Sequence, residues 1–189
     1  DLRGSTGAVL GAIVVEFGLV IALSMGITRK WLNPTMAALL FFLYAAVNGF
    51  VLSIIALVFD AGAITNALAT TVLLFGVMSV FGYTTQMDLT RMGSYLIMGL
   101  IGLVVAMFVN VFLNSGPLEY IISIFGVIIF TGLTAYDTQK IRNFTQTYQL
   151  QADGNLALKF SIYGALVLYL DFVNLFLFLV QLFGGGRRR

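Results

Sequence analysis

Six stretches of about twenty or more residues run through this chain with almost no charge in them, and this pattern restricts the fold more than anything else in the sequence. A backbone in hydrocarbon must satisfy its own hydrogen bonds, so segments of this kind are predicted to be transmembrane helices. They cover about Gly7 to Met25, the residues after Pro34 to Val58, Ala63 to Tyr83, Met92 to Leu113, Leu118 to Ile141 and Leu156 to Phe183. Composition agrees: 60% hydrophobic against 10% charged residues over 189 positions, with a mean hydropathy of +1.00, lies outside the range of soluble domains. The expected architecture is an all-α integral membrane protein, a bundle of six hydrophobic helices, with residues 1–189 forming a single polytopic membrane domain.

Charge reports orientation. A net charge of +2 is too mild to imply nucleic acid as a partner, and the ten Lys and Arg residues lie in short polar gaps. Arg29, Lys30, Arg91, Lys140, Arg142 and Lys159 fall in gaps assigned to the cytosol, whereas the short outer turns carry Asp60 and Glu119. Six full crossings would leave Arg187, Arg188 and Arg189 outside, against that rule. Either the last segment crosses and these arginines are tolerated, or it dips in and returns, shielded by the other helices. Asn114-Ser-Gly-Pro117 reads as a tight turn, and the polar stretch from Asn143 to Asn155 as a surface loop. Asp88 and Arg91 read as a solvated pair of little energetic value. No cleavable signal peptide is evident, and a start at Asp1 just before a span leads to the expectation that something upstream has been lost.

With no Cys and no His, the chain has no disulfide, thiolate, imidazole base or ordinary zinc site, so any proton chemistry must run on carboxylates. Three lie inside apolar segments: Glu16, Asp137 and Asp171. An unpaired charge at the centre of a bilayer costs about 3 kcal/mol on insertion scales, so such residues face a partner, a cavity or a pathway. On the last segment Gly164, Val167, Asp171, Asn174, Phe178 and Gln181 form one stripe, which predicts a central helix. On the fifth, Ser123, Gly126, Phe130 and Thr134 share the face of Asp137. If the two aspartates approach, one proton is shared between them and makes a pH-sensitive latch, with Arg29, Lys30 or Arg142 as counter-charge. The competing reading is structural, each carboxyl being capped by a hydroxyl, an Asn or an Arg. Glu16 is either a protonated glutamate bonded to Asn48, Tyr44 or Asn174, or a cation ligand or proton carrier in a pore. Depth sets a condition: Asp137 lies about four residues from the end of its apolar segment and Asp171 about fifteen beyond the start of the last, so they meet only if the last helix begins well inside the cytosol, which leaves about twelve residues from Asp171 to Phe183 and favours a displaced or re-entrant last segment.

Three motifs then carry a resemblance: Phe75-Gly-Val-Met-Ser-Val-Phe-Gly-Tyr83 continuing to Asp88-Leu, Thr131-Gly-Leu-Thr-Ala-Tyr-Asp137-Thr-Gln-Lys-Ile141, and Leu168-Tyr-Leu-Asp171-Phe-Val-Asn174. The chain resembles the Bax-inhibitor-motif membrane proteins, in particular their bacterial inner-membrane branch. The resemblance implies a seven-helix fold wrapped around the C-terminal helix, of which this chain lacks the first helix. It also implies a non-enzymatic, cofactor-free, pH-sensitive calcium leak in a bacterial inner membrane. Asp137 and Asp171 map onto the family's pH sensor, Glu16 onto the ion path, joined by Asn48 and Asn174, and Arg29 onto an arginine that engages the dyad. Glu16 is the one residue assigned a calcium contact, as a transit point. The expected partners are the lipid bilayer and calcium ions, and the resemblance adds a link to a membrane-bound quality-control protease. Two other functions compete: a non-catalytic membrane regulator in which the dyad is structural, and an intramembrane aspartyl protease. The second is disfavoured because Asp171 sits in Tyr-Leu-Asp-Phe without a flanking glycine.

Overall fold

The structure is a computed structural model that describes residues 34–149 and 154–185. The first apolar segment, with Glu16, Arg29 and Lys30, lies outside the described residues, as do Arg187 to Arg189. Five helices make up the described chain: α1 Pro34–Val58, α2 Ala61–Thr84, α3 Thr90–Leu113, α4 Gly116–Gln149 and α5 Gly154–Gly184. Among the described residues there is no strand. Four of the helices, α2 to α5, are long and apolar enough to cross a membrane, and α1 carries a shorter apolar run over Thr35–Phe50. The all-α membrane architecture therefore stands.

Local chemistry sets the helix ends. Asp60 starts α2 by accepting a hydrogen bond from the Ala63 N–H at 3.0 Å. Asn114 ends α3 in the left-handed region, φ 47°, a conformation its short polar side chain tolerates. Its turn is closed by Ser115 N–H on Asn110 Oδ1 and by Leu118 N–H on Ser115 Oγ, the tight reversal that the sequence signalled. Ahead of α3, Asp88 Oδ1 accepts from the Thr90 N–H at 2.9 Å. Hydrogen bonds from Thr90 hold the Asp88 carboxyl below its usual range, and Arg91 is the smallest contributor. Asp88 thus serves its own turn more than its basic neighbour.

The two C-terminal helices differ from expectation. The polar stretch from Asn143 to Asn155 was predicted to be loop, yet α4 continues to Gln149, about 12 Å past Ile141 at 1.5 Å per residue. Hydropathy falls at the membrane boundary, but nothing from Arg142 to Gln149 breaks a helix, since the next Gly or Pro is Gly154. Phe144 on this extension stacks on Phe160 of α5, ring centroids 5.4 Å apart and planes at 17°. α5 in turn runs unbroken for 31 residues, 25 of them in its membrane-crossing part Phe160–Gly184. A segment that dips and returns needs a reversal, and among the described residues α5 has none: it is one continuous helix, long and apolar enough to cross.

The chain divides into two compact units, residues 1–58 with 144–166 and residues 59–143 with 167–189. In the first unit, Ala37, Tyr44 and Asn48 form the buried face of α1, while Leu39, Phe42, Leu43 and Phe50 point outward. In the second, the interior is built by α4 and α5. Of their membrane-crossing windows 44% and 39% is buried, against 11% and 6% for α2 and α3, whose exposed Leu, Val and Phe side chains suit a lipid surround. Close helix approach is made by glycine. A Cβ on Gly82 of α2 would strike the backbone carbonyl of Ala135 on α4, and one on Gly93 of α3 would strike the Tyr136 ring. Backbone cannot rotate away, so Gly82→Ala is expected to lower the melting temperature in detergent, at a cost of about 1–3 kcal/mol. Gly76→Ala on the same helix meets nothing within 4 Å and is expected to leave it unchanged or raise it.

Candidate functional site

In the second unit, α4 and α5 run antiparallel and touch in layers. Ser123, Phe130 and Asp137 recur every seven residues on α4, the spacing that keeps one face of a helix against a neighbour. They meet Gln181, Phe178 and Asp171 on α5. At one end the Ser123 hydroxyl lies 3.2 Å from Gln181 Oε1 and 2.9 Å from the Glu119 carbonyl. In the middle, Phe130 and Phe178 stack with centroids 5.8 Å apart and planes at 28°. At the other end the carboxyl groups of Asp137 and Asp171 lie close enough to interact through their charges and, with a proton between them, through a hydrogen bond. Both aspartates on their predicted stripes thus converge. The depth condition is met because α5 starts at Gly154, 17 residues before Asp171, opposite the extension of α4.

The neighbours of this pair are otherwise engaged. Thr134 donates to the Phe130 carbonyl at 2.8 Å, Thr138 to Thr134 at 2.7 Å, and Asn174 to Leu170 at 2.8 Å, all on their own helices. Asp171 is buried, 4% exposed, and among the described residues its Oδ2 has no hydrogen-bond donor. A carboxylate only accepts, so two carboxyl groups bond to each other only with a proton between them. Lys140, one turn past Asp137, acts on it electrostatically while its Nζ lies 5.8 Å above the Tyr136 ring. Chemically the pair can hold and release one proton inside the bundle.

The remaining expected residues are placed as follows. Arg142 is directed to the end of α2, where its Nη1 donates to the Tyr83 carbonyl and, at 3.4 Å, to that of Thr85, rather than to the dyad. Asn48 is buried on α1, 7% exposed, and Asn174 is half-buried on α5. Glu16 and Arg29 lie outside the described residues.

Sequence reasoning missed Gln139. It is buried, 6% exposed, and its amide reads the α2–α3 turn as a neighbouring strand would: Oε1 accepts from Leu89 N–H at 3.0 Å and Nε2 donates to Met87 O at 2.8 Å. Two residues from Asp137 means about 200° around the helix, so the dyad and the clamp occupy opposite sides of α4. The available signal was an amide just inside the polar limit of an apolar segment, too common a feature to single out.

A polytopic α-helical membrane protein with an acid pair buried between its two C-terminal helices is what these observations define. The family described as "Inhibitor of apoptosis-promoting Bax1" matches residues 3–188, and the chain belongs to it. It is 45% identical over 178 residues to the inner membrane protein YbhL of Escherichia coli K12, covering 94% of this chain and 75% of that protein. An uncharacterized protein of Borreliella burgdorferi is 44% identical with the same coverage, and an uncharacterized membrane protein of Streptococcus pyogenes is 37% identical over 92% of this chain and 73% of its own length. The chain is accordingly a multi-pass protein of the bacterial inner membrane.

The clamp carries its own test. Gln139→Met removes both bonds and strands a buried N–H, a loss of about 1–3 kcal/mol. Exchange of the Leu89 amide with deuterium is expected to accelerate in this variant, while amides in the middle of α3 keep their protection.

Proposed function

We propose that this protein is a non-enzymatic, pH-sensitive calcium leak in which a proton shared by Asp137 and Asp171 controls opening. The contact between the two carboxyl groups carries the reading; the family relationship supports it. With the proton in place, the pair is a bond between α4 and α5. Without it, two negative charges meet in a poorly solvated site and repel, which drives the helices apart. Opening therefore accompanies deprotonation, and flux rises with pH. Calcium is a hard cation that favours several oxygen ligands, so a path containing Glu16, Asn48 and Asn174 is a sparse set suited to transit rather than to storage. Arg29 is the counter-charge in this scheme, since Arg142 is occupied at the end of α2.

Calcium entry into dye-loaded liposomes, followed as external pH is raised from mildly acidic to neutral, tests the reading. Flux through the wild type is expected to increase across that interval. In Asp171→Asn the amide keeps a hydrogen bond to Asp137 without a shared proton, so flux is expected to stay low and flat. A wild-type pH response retained in both Asp171→Asn and Asp137→Asn removes the proton switch. Loss of thermal stability alone, with flux equal to that of empty vesicles throughout, favours a regulator in which the dyad is structural.

A further inference from the structure

The α4–α5 seam is not uniform, and its middle layer has no part in the proton chemistry. Polar pairs stand at both ends, Ser123 with Gln181 and Asp137 with Asp171, and two aromatic rings fill the space between. Both rings are buried, Phe130 at 7% and Phe178 at 5% exposure. The end beyond Ser123 opens into a cavity of about 110 Å³ lined by Glu119, Tyr120, Ser123 and Gln181. At about 30 Å³ per water, that volume holds a few solvent molecules. Water and small cations entering there meet a carboxylate, a hydroxyl and an amide; Phe130 stands seven residues beyond Ser123 on α4, about 10 Å deeper along the seam.

From this layering we infer that Phe130 and Phe178 form a hydrophobic gate that closes the route between the Glu119 cavity and the Asp137–Asp171 dyad. The inference rests on the calcium-leak reading for what passes, but not for the seal itself. Three features make the layer a seal. Neither ring offers a donor or an acceptor to replace a lost hydration shell, so a cation crossing the layer must shed water without compensation. The rings are stacked across the seam, one from each helix, so separating α4 from α5 separates them as well. Gly126, one turn before Phe130, lets the Phe178 ring lie against the backbone of α4; a Cβ there would come within 2.5 Å of the ring. The dyad acts as the latch and the ring pair as the plug: releasing the proton allows the helices to part, and the parting of the rings admits the ion.

The chain has no cysteine among its 189 residues, which allows a unique thiol reporter. Thr134→Cys, at a fully buried position on the dyad side of the rings, is treated in detergent with a small charged methanethiosulfonate reagent. Its reaction is expected to be slow with both rings present and several-fold faster after Phe178→Ala or Phe130→Ala. Ile129→Ala serves as the control: that side chain is equally buried but faces Gly99 of α3, 3.3 Å from where a Cβ would stand, so its loss loosens the bundle without opening the seam. In liposomes at mildly acidic pH, the two Phe variants are expected to pass calcium while the wild type and Ile129→Ala remain closed. Unchanged thiol rates in both folded Phe variants, checked by melting temperature, overturn the gate, and so does an equal acceleration by Ile129→Ala. If the wild type passes no calcium at any pH, the calcium-leak reading fails, and the thiol rates still decide the gate.

Discussion

Two acidic side chains in contact inside a bilayer are tolerated only when something fixes them in place, and much of this fold is arranged to do so. Charge without a partner is costly in hydrocarbon. Asp137 and Asp171 meet because α4 and α5 share a long antiparallel seam, and the seam exists because small and aromatic residues recur on matching faces. Take away the register of that seam and each carboxyl would face lipid or an apolar wall. The site is therefore a property of the packing rather than of either helix alone.

The packing is also unequal on the two sides of α4. Toward α2 and α3 it is held by main-chain proximity at Gly82, by the Tyr136 ring against Gly93, and by the hydrogen bonds of Gln139 and Arg142. Toward α5, at the level of Asp137, the described polar link is the carboxyl pair. A helix fixed firmly on one side and conditionally on the other is suited to a device that must yield in one direction. In the proposed scheme, proton release weakens the contact that gives way, while the α2–α3 side keeps its geometry.

Much of this was legible in the sequence. Apolar segment lengths located the ends of α1 to α5 to within a few residues except at the C-terminus of α4, and the three- and four-residue spacing around Asp137 and Asp171 identified the faces that touch. The end of α4 was not legible, because hydropathy marks where lipid ends and not where a helix ends. The reversal or crossing of α5 was left open by the charge rule, which weighs Arg187 to Arg189 but is blind to backbone continuity. Gln139 escaped notice for a different reason: its partners are the peptide groups of Met87 and Leu89, and a side chain that binds main chain leaves no complementary residue elsewhere to betray it. Arg142 was read as a counter-charge from its proximity in sequence, whereas its reach is taken up by carbonyls at the end of α2.

Recognition of the α2–α3 turn through its peptide groups has an evolutionary corollary. Met87 is 68% exposed and contributes main-chain groups alone, its carbonyl to Gln139 and its N–H to Thr85 Oγ1, so its side chain is free to vary without disturbing the turn. Leu89 is constrained twice, by its buried side chain and by the amide hydrogen it lends to Gln139. Proline is the replacement most strongly forbidden there, since it has no such hydrogen to give.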